Sequence, residues 1–212
     1  MTNVGLLLVG VVLFVNGASL LGAVRPRDAV PINFFVGGVQ VVFPTLAMLV
    51  AGSGLDAGYS VAALYLFGFT YLYVALNTLM GNDGSGLGWF SLFVVAITIW
   101  SGITSLATDP AFAVIWFVWA VMWLMFFLSL ALGVAGLTGF TGWLLLIGSH
   151  LTATIPALMI FEGVWSTSTT AGVVAAVIAV VLIALCAILG RVRPVLIRQK
   201  ADPDGAGRGR SA

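Results

Sequence analysis

From Pro110 to Phe161 the chain runs 52 residues without an Asp, Glu, Lys or Arg, and residues 1–24, 29–55, 57–82, 84–108 and 163–190 are charge-free as well. About 20 apolar residues cross the hydrocarbon core of a bilayer, so every one of these stretches is long enough to span it. A soluble domain carries about 25% charged residues; this chain carries 7%, with 61% hydrophobic. A soluble globular fold is excluded. The net charge of +1 leaves no basic face for nucleic acid. The one cysteine, Cys186, offers no disulfide and no Cys-based metal site. No basic segment precedes the first apolar stretch and further spans follow it, so it is expected to be retained rather than cleaved.

As one straight helix the 52-residue stretch would reach about 78 Å at 1.5 Å per residue, so it must turn. Gly133, Gly136, Gly139 and Gly142, around Thr138 and Thr141, predict the connection there. The expectation is an all-α, polytopic membrane protein with seven transmembrane helices near residues 4–24, 30–51, 61–80, 87–106, 111–132, 142–160 and 171–189. Charge placement agrees. All eight basic residues lie either in the first loop (Arg25, Arg27) or after the last span (Arg191, Arg193, Arg198, Lys200, Arg208, Arg210). An odd number of spans puts both groups on one side, which the positive-inside rule makes cytoplasmic, with the N-terminus outside. Residues 191–212 read as a basic, disordered cytoplasmic tail able to meet anionic headgroups.

Ionisable residues inside a membrane mark ion paths, proton relays and ligand counter-ions. No Lys, Arg or Asp falls within an expected span, so a Schiff-base pigment, a voltage sensor and a carboxylate-driven pump lack their residues. With one His and one Cys, a zinc site or a nucleophile-base pair has no obvious source. No enzyme, cofactor or metal is expected. A passive route for a neutral solute remains, or a membrane scaffold without transport.

Two aromatic stripes bear on that choice. Phe112, Trp116, Trp119 and Trp123 follow one another at i, i+4, i+7 and i+11 on the fifth span, a single helical face. Trp119 lies about 13 Å past Pro110, far from the interfaces where Trp normally collects. A buried indole N–H needs an acceptor that hydrocarbon lacks, and a wet, narrow slot would supply one. On the third span Tyr65, Phe69 and Tyr73 recur every four residues, with Asn77 one turn later. Two facing aromatic helices would pass a flat, uncharged, hydrogen-bonding molecule while giving a hydrated ion nothing to replace its water. Urea and short amides fit. The competing reading is that both stripes only pack.

NFFVGG (33–38), LFGFTYLY (66–73), WFSLFV (89–94), the Trp116, Trp119, Trp123 spacing, and TGWL (141–144) followed by LTA and IP (151–156) resemble the AmiS/UreI family of urea and amide channels. The resemblance implies a six-helix bundle of three hairpins over residues 1–163, with residues 164–190 as an additional seventh helix. It further implies a homo-hexamer in the inner membrane with a pore through each protomer. The implied lining is Leu6, Leu13, Phe69, Tyr73, Phe112, Trp116, Trp119, Met122 and Trp123. The chain departs from the family's acid-gated urea channel in carrying Gly148 where that channel has Glu and Phe112 where it has Trp, and in its seventh helix, read as peripheral and facing lipid or a neighbour. Gly37, Gly38, Gly68 and Gly102 read as helix-packing positions. For His150, inside the sixth span, two readings stand: a neutral imidazole bonded to Ser149, Thr152 or a nearby helix, or a pore-lining donor and acceptor. Asn16, Asn33, Gln40 and Asn77 read as interhelical hydrogen-bonding amides.

The function these observations imply is a channel for urea or short amides, not coupled to ions. A gate working between pH 7 and 5 needs groups that titrate there, and His is the side chain that ordinarily does. The expected outer loops contain none. Urea flux into vesicles is therefore expected to change less than about twofold between external pH near 7.5 and 5, against the tenfold that about 1.4 kcal/mol of gating bias would produce. A steep rise on acidification that persists in His150→Gln would reveal a carboxylate gate instead.

Overall fold

The computed structural model describes residues 2–51, 55–193 and 195–196. Seven helices alternate in direction: α1 (Thr2–Leu20), α2 (Val30–Ala51), α3 (Leu55–Met80), α4 (Ser85–Ser105), α5 (Pro110–Phe126, prolonged by a wide turn over Phe127–Ala131), α6 (Thr138–Ser149, continuing through His150–Thr154 into Ile155–Phe161) and α7 (Thr169–Val192). Five helical segments are long and apolar enough to cross a bilayer, and Val4–Leu20 and Leu64–Met80 are shorter apolar runs. The chain is a multi-pass, all-helical membrane protein.

The long uncharged stretch breaks where glycine allows it. Gly133 and Gly136 take φ of 63° and 85°, which residues with a Cβ rarely adopt, and the turn is complete by Leu137. The expectation that Gly139 and Gly142 also belong to the connection is corrected: both are buried on α6, where Gly142 receives Leu20 and Leu21 of α1. Two further boundaries differ from expectation. α1 stops at Leu20, and α3 begins at Leu55 rather than near residue 61, so Asp56 lies in its first turn. Of the basic tail, residues 197–212 lie outside the described residues.

The helices pack as three antiparallel pairs, α2 with α3, α4 with α5, and α1 with α6, while α7 lies across α5 and α6. Glycine makes each close approach possible. The carbonyl oxygens of Gly37 and Gly68 each lie within about 3 Å of where the other residue's Cβ would be. Gly102 faces the Phe117 ring, whereas a Cβ on Gly38 would meet nothing within 4 Å among the described residues. α7 is more than peripheral: Gly172 sits on Pro110, Gly190 on Phe140, and Leu182 and Cys186 are buried between them. Its remaining faces are exposed aliphatic surface.

Most buried polar side chains among the described residues find partners within the bundle, as the lack of water requires. Asn16 and Asn33 exchange two amide hydrogen bonds of 2.9 and 2.7 Å, joining α1 to α2. Ser91, Thr98 and Thr141 donate to carbonyls one turn back. In α6 the wide turn precedes Pro156, a residue with no N–H to continue the ladder. The Thr152 hydroxyl there donates to the Gly148 carbonyl at 2.6 Å.

The α1–α6 contact can be tested directly. A Cβ on Gly17 would lie 2.5 Å from the Leu146 backbone nitrogen and 2.9 Å from the Gly142 carbonyl oxygen, atoms that cannot rotate away. Gly17→Ala is expected to cost about 1–3 kcal/mol, the usual cost of overpacking, and to lower the thermal midpoint of the detergent-solubilised protein. Gly38→Ala, entering open space, should leave that midpoint near wild type.

Candidate functional site

Where the three helix pairs meet, aromatic rings fill the space between them. Phe67 of α3 stacks on Trp123 (centroids 4.8 Å apart, 18° between planes), meets Trp119 edge to face at 5.2 Å, and tilts against Trp116 at 5.7 Å. Trp116 and Trp119 are themselves 5.1 Å apart and nearly perpendicular, and Phe112 lies 6.0 Å from each. Alternating edge and face contacts are how aromatic quadrupoles attract. Leu6 and Leu13 of α1 and Met122 of α5 are buried in the same cluster. The expected α5 stripe and both α1 leucines therefore do converge.

The α3 partners differ from expectation. Phe69 is 46% exposed, stacks on Tyr65 at 6.1 Å, and lines a groove towards α4 with Phe93, Ile97 and Trp100. Tyr73 lies beside Phe90. Two residues along a helix are about 200° apart, so the face opposite Phe69 and Tyr73 carries Phe67 and Tyr71, and these are the buried pair. LFGFTYLY contains both i, i+4 pairs, and spacing cannot choose between them. Thr70, on the buried face beside Tyr71, was the available signal, because a hydroxyl in hydrocarbon turns towards protein.

His150 is also placed away from the cluster. It is exposed and packs on Phe14 of α1 at 5.2 Å, while its neighbours on α6 turn inward: Thr152 towards Trp119 and Gly148 towards the Met122 methyl, which occupies the space a Cβ would need. The Gly148 departure thus has a steric partner in Met122.

Two of the three indole N–H groups are held by threonines. Trp119, 2% exposed, donates to the Thr152 hydroxyl at 3.0 Å, which ties α5 to α6. Trp123 donates to the Thr70 hydroxyl at 3.3 Å, which ties α5 to α3. Protein hydroxyls thus take the place of the water a slot was expected to provide for these two. The half-buried Trp116 has no hydrogen-bond partner among the described residues. Neither does the fully enclosed Tyr71 hydroxyl, nor the Gln40 Oε1, although the Gln40 amide nitrogen reaches the Gly5 carbonyl at 3.4 Å.

The cluster has polar surroundings at both ends. Towards the α1–α2 loop lies a cavity of about 300 Å³ lined by Asn16, Ser19, Asn77, Thr78, Asn82 and Asp83, with Phe126 one turn beyond Trp123. The Arg25 guanidinium beside Asp28 and the Ser85 N–H and hydroxyl beside Asp83 hold these two carboxylates below their ordinary pKa. At the other end Asp109 caps α5 by accepting from the Phe112 N–H. The arrangement is an uncharged aromatic core between two polar ends, suited to a flat neutral solute and unsuited to stripping water from an ion.

Comparison with known proteins points the same way. The sequence profile of the AmiS/UreI family transporter matches residues 1–164. The chain is 46% identical over 194 residues to a putative amidate substrates transporter protein of Mycolicibacterium smegmatis, covering 90% of this chain and 91% of that one. It is 34% identical over 195 residues to the acid-activated urea channel of Helicobacter pylori strain J99, covering 78% and 100%. The closed-state cryo-EM structure of the Helicobacter pylori urea channel superposes with a TM-score of 0.70 at 36% identity, over 78% of this chain and all of that one.

The Trp119–Thr152 bond is open to test. Thr152→Val keeps the side-chain shape but leaves a buried indole N–H without an acceptor, expected to cost about 1–3 kcal/mol. Thermal unfolding in detergent should therefore begin at lower temperature than in Thr152→Ser, which keeps the hydroxyl. Equal midpoints for the two variants would show that the indole finds another partner.

Proposed function

This chain belongs to the AmiS/UreI family of transporters, and on that premise we propose that it is a passive channel for urea and short aliphatic amides. The observation that carries the proposal is the ring cluster at the junction of the three helix pairs. It is uncharged, and within or beside it are two hydrogen-bonding groups that the protein leaves unpaired, the Trp116 N–H and the Tyr71 hydroxyl. A buried unpaired hydroxyl costs about 1–3 kcal/mol, and a passing solute with both donors and acceptors relieves that cost. Urea and amides are such solutes. The lining we propose is Leu6, Leu13, Phe67, Tyr71, Phe112, Trp116, Trp119, Met122 and Trp123; Phe69, Tyr73 and His150 are left out because they face other surroundings.

The cluster itself holds no charged side chain among the described residues, and the Asp109 carboxylate at its end is engaged by the Phe112 N–H and the Trp165 indole. Transport therefore follows the solute gradient, coupled to neither protons nor sodium, and no chemistry is performed on the solute. The carboxylates beside the polar cavity, Asp28 and Asp83, titrate below the ordinary carboxylate range and give no gate between pH 7 and 5. The location proposed is the inner membrane, with the Arg25 and Arg193 end cytoplasmic by the positive-inside rule. Contacts support a shared end: Trp143 donates to the Arg193 carbonyl at 2.7 Å, and the Leu196 N–H to the Leu21 carbonyl at 2.8 Å. We further propose a homo-hexamer, in which exposed rings such as Phe69, Phe93 and Trp100 are covered by neighbours or lipid.

A scaffold without transport draws support from the Trp119 and Trp123 bonds, which are internally complete. Stopped-flow swelling of proteoliposomes in a urea gradient separates the two readings, since a scaffold leaves the lipid-only rate. Tyr71→Phe sharpens the test. Removing an unpaired hydroxyl is expected to raise the thermal midpoint while lowering urea permeability roughly threefold to tenfold, the loss of one hydrogen bond of about 0.5–1.5 kcal/mol. Greater stability with unchanged flux would remove Tyr71 from the lining.

A further inference from the structure

The loop between α6 and α7 carries Trp165, one residue beyond the end of the family match. Its indole N–H donates to Asp109 Oδ2 at 2.8 Å, while Asp109 Oδ1 accepts the Phe112 backbone N–H at 2.9 Å. One carboxylate thus starts α5 and fastens a ring from a distant loop. The fastened indole meets Phe112 edge to face, with centroids 6.1 Å apart and 75° between planes. Phe112 in turn touches Trp116 and Trp119, and these touch Phe67, which stacks on Trp123. The rings form an unbroken series from the half-buried Trp165 at the Asp109 end to the middle of the bundle.

We propose that Trp165 is the first ring of the solute pathway at the Asp109 end and that, held by Asp109, it sets how bulky an amide can pass. A hydrogen bond to a carboxylate is stronger than one between neutral groups, so the indole cannot swing aside for a wider solute without giving it up. Its N–H is already engaged, which leaves ring surface and width as the means of discrimination. Asp109 is the positioning residue. The inference rests on the channel reading and extends it to a side chain outside the six-helix match.

The test uses the full chain in proteoliposomes, with swelling rates for urea, acetamide and butyramide. In Trp165→Ala the ratio of butyramide to urea permeability is expected to rise roughly fivefold to tenfold, near the scale on which a pocket senses one methylene. Trp165→Phe, which keeps a ring, should restore much of the wild-type ratio. Asp109→Asn keeps an oxygen to cap α5 but offers the indole an N–H in place of an acceptor, so it should move the ratio in the same direction by a smaller factor; it carries the test if Trp165→Ala does not assemble. A loop anchor with no part in the pathway would change thermal stability and leave the ratio within about twofold of wild type, and that result overturns the inference. Wild-type vesicles that swell at the lipid-only rate overturn the channel reading itself, a separate outcome.

Discussion

Every polar group within the bilayer must find its partner inside the protein, and the arrangement of this bundle follows from that requirement. Threonine and serine hydroxyls donate to carbonyls on their own helices, which leaves their oxygen lone pairs free to accept from elsewhere. Thr152 and Thr70 accept in this way from Trp119 and Trp123. These two bonds connect α5 to the other two helix pairs at the level where Phe67 is stacked. The fifth helix thereby becomes the element around which the three pairs are organised. Against this background of satisfied groups, the enclosed Tyr71 hydroxyl and Gln40 Oε1 stand out.

Close approach and open space are distributed unevenly between the helices. Glycine contacts draw the members of each pair together, at Gly37 and Gly68, Gly102, and Gly10 and Gly17. Between pairs, bulky rings hold the helices apart. The result is a bundle whose tight seams lie within pairs and whose centre is aromatic. Dispersion and quadrupole contacts among Phe67, Trp116 and Trp119 keep the rings in fixed relative orientations.

The seventh helix is built into this arrangement. Leu182 of α7 lies about 3.7 Å from the position a Gly148 Cβ would take, next to the Met122 methyl, so α7 supports from behind the part of α6 that bonds Trp119. The loop leading into α7 delivers Trp165 to Asp109. A helix that exposes aliphatic surface on most of its circumference nonetheless reaches the aromatic series from two directions.

Much of the fold was legible in the sequence because charge in a membrane chain is punctuation. Each interval between Arg27, Asp56, Asp83, Asp109, Glu162 and Arg191 had to hold whole spans, and Gly133 and Gly136 marked the turn within the longest of them. The α5 stripe was legible too, since i, i+4, i+7 and i+11 define a single face on any helix. What the sequence left open was rotation. In a bundle apolar on nearly all sides, the pattern of apolar residues does not say which face turns inward. Phe67 with Tyr71 and Phe69 with Tyr73 have equal claims by spacing, and His150 could face either way. Only the tertiary structure decided, through contacts no single helix contains: the Gly37–Gly68 crossing that orients α3 against α2, and the threonine acceptors that bring Trp119 and Trp123 against Phe67 while His150 is left beside Phe14.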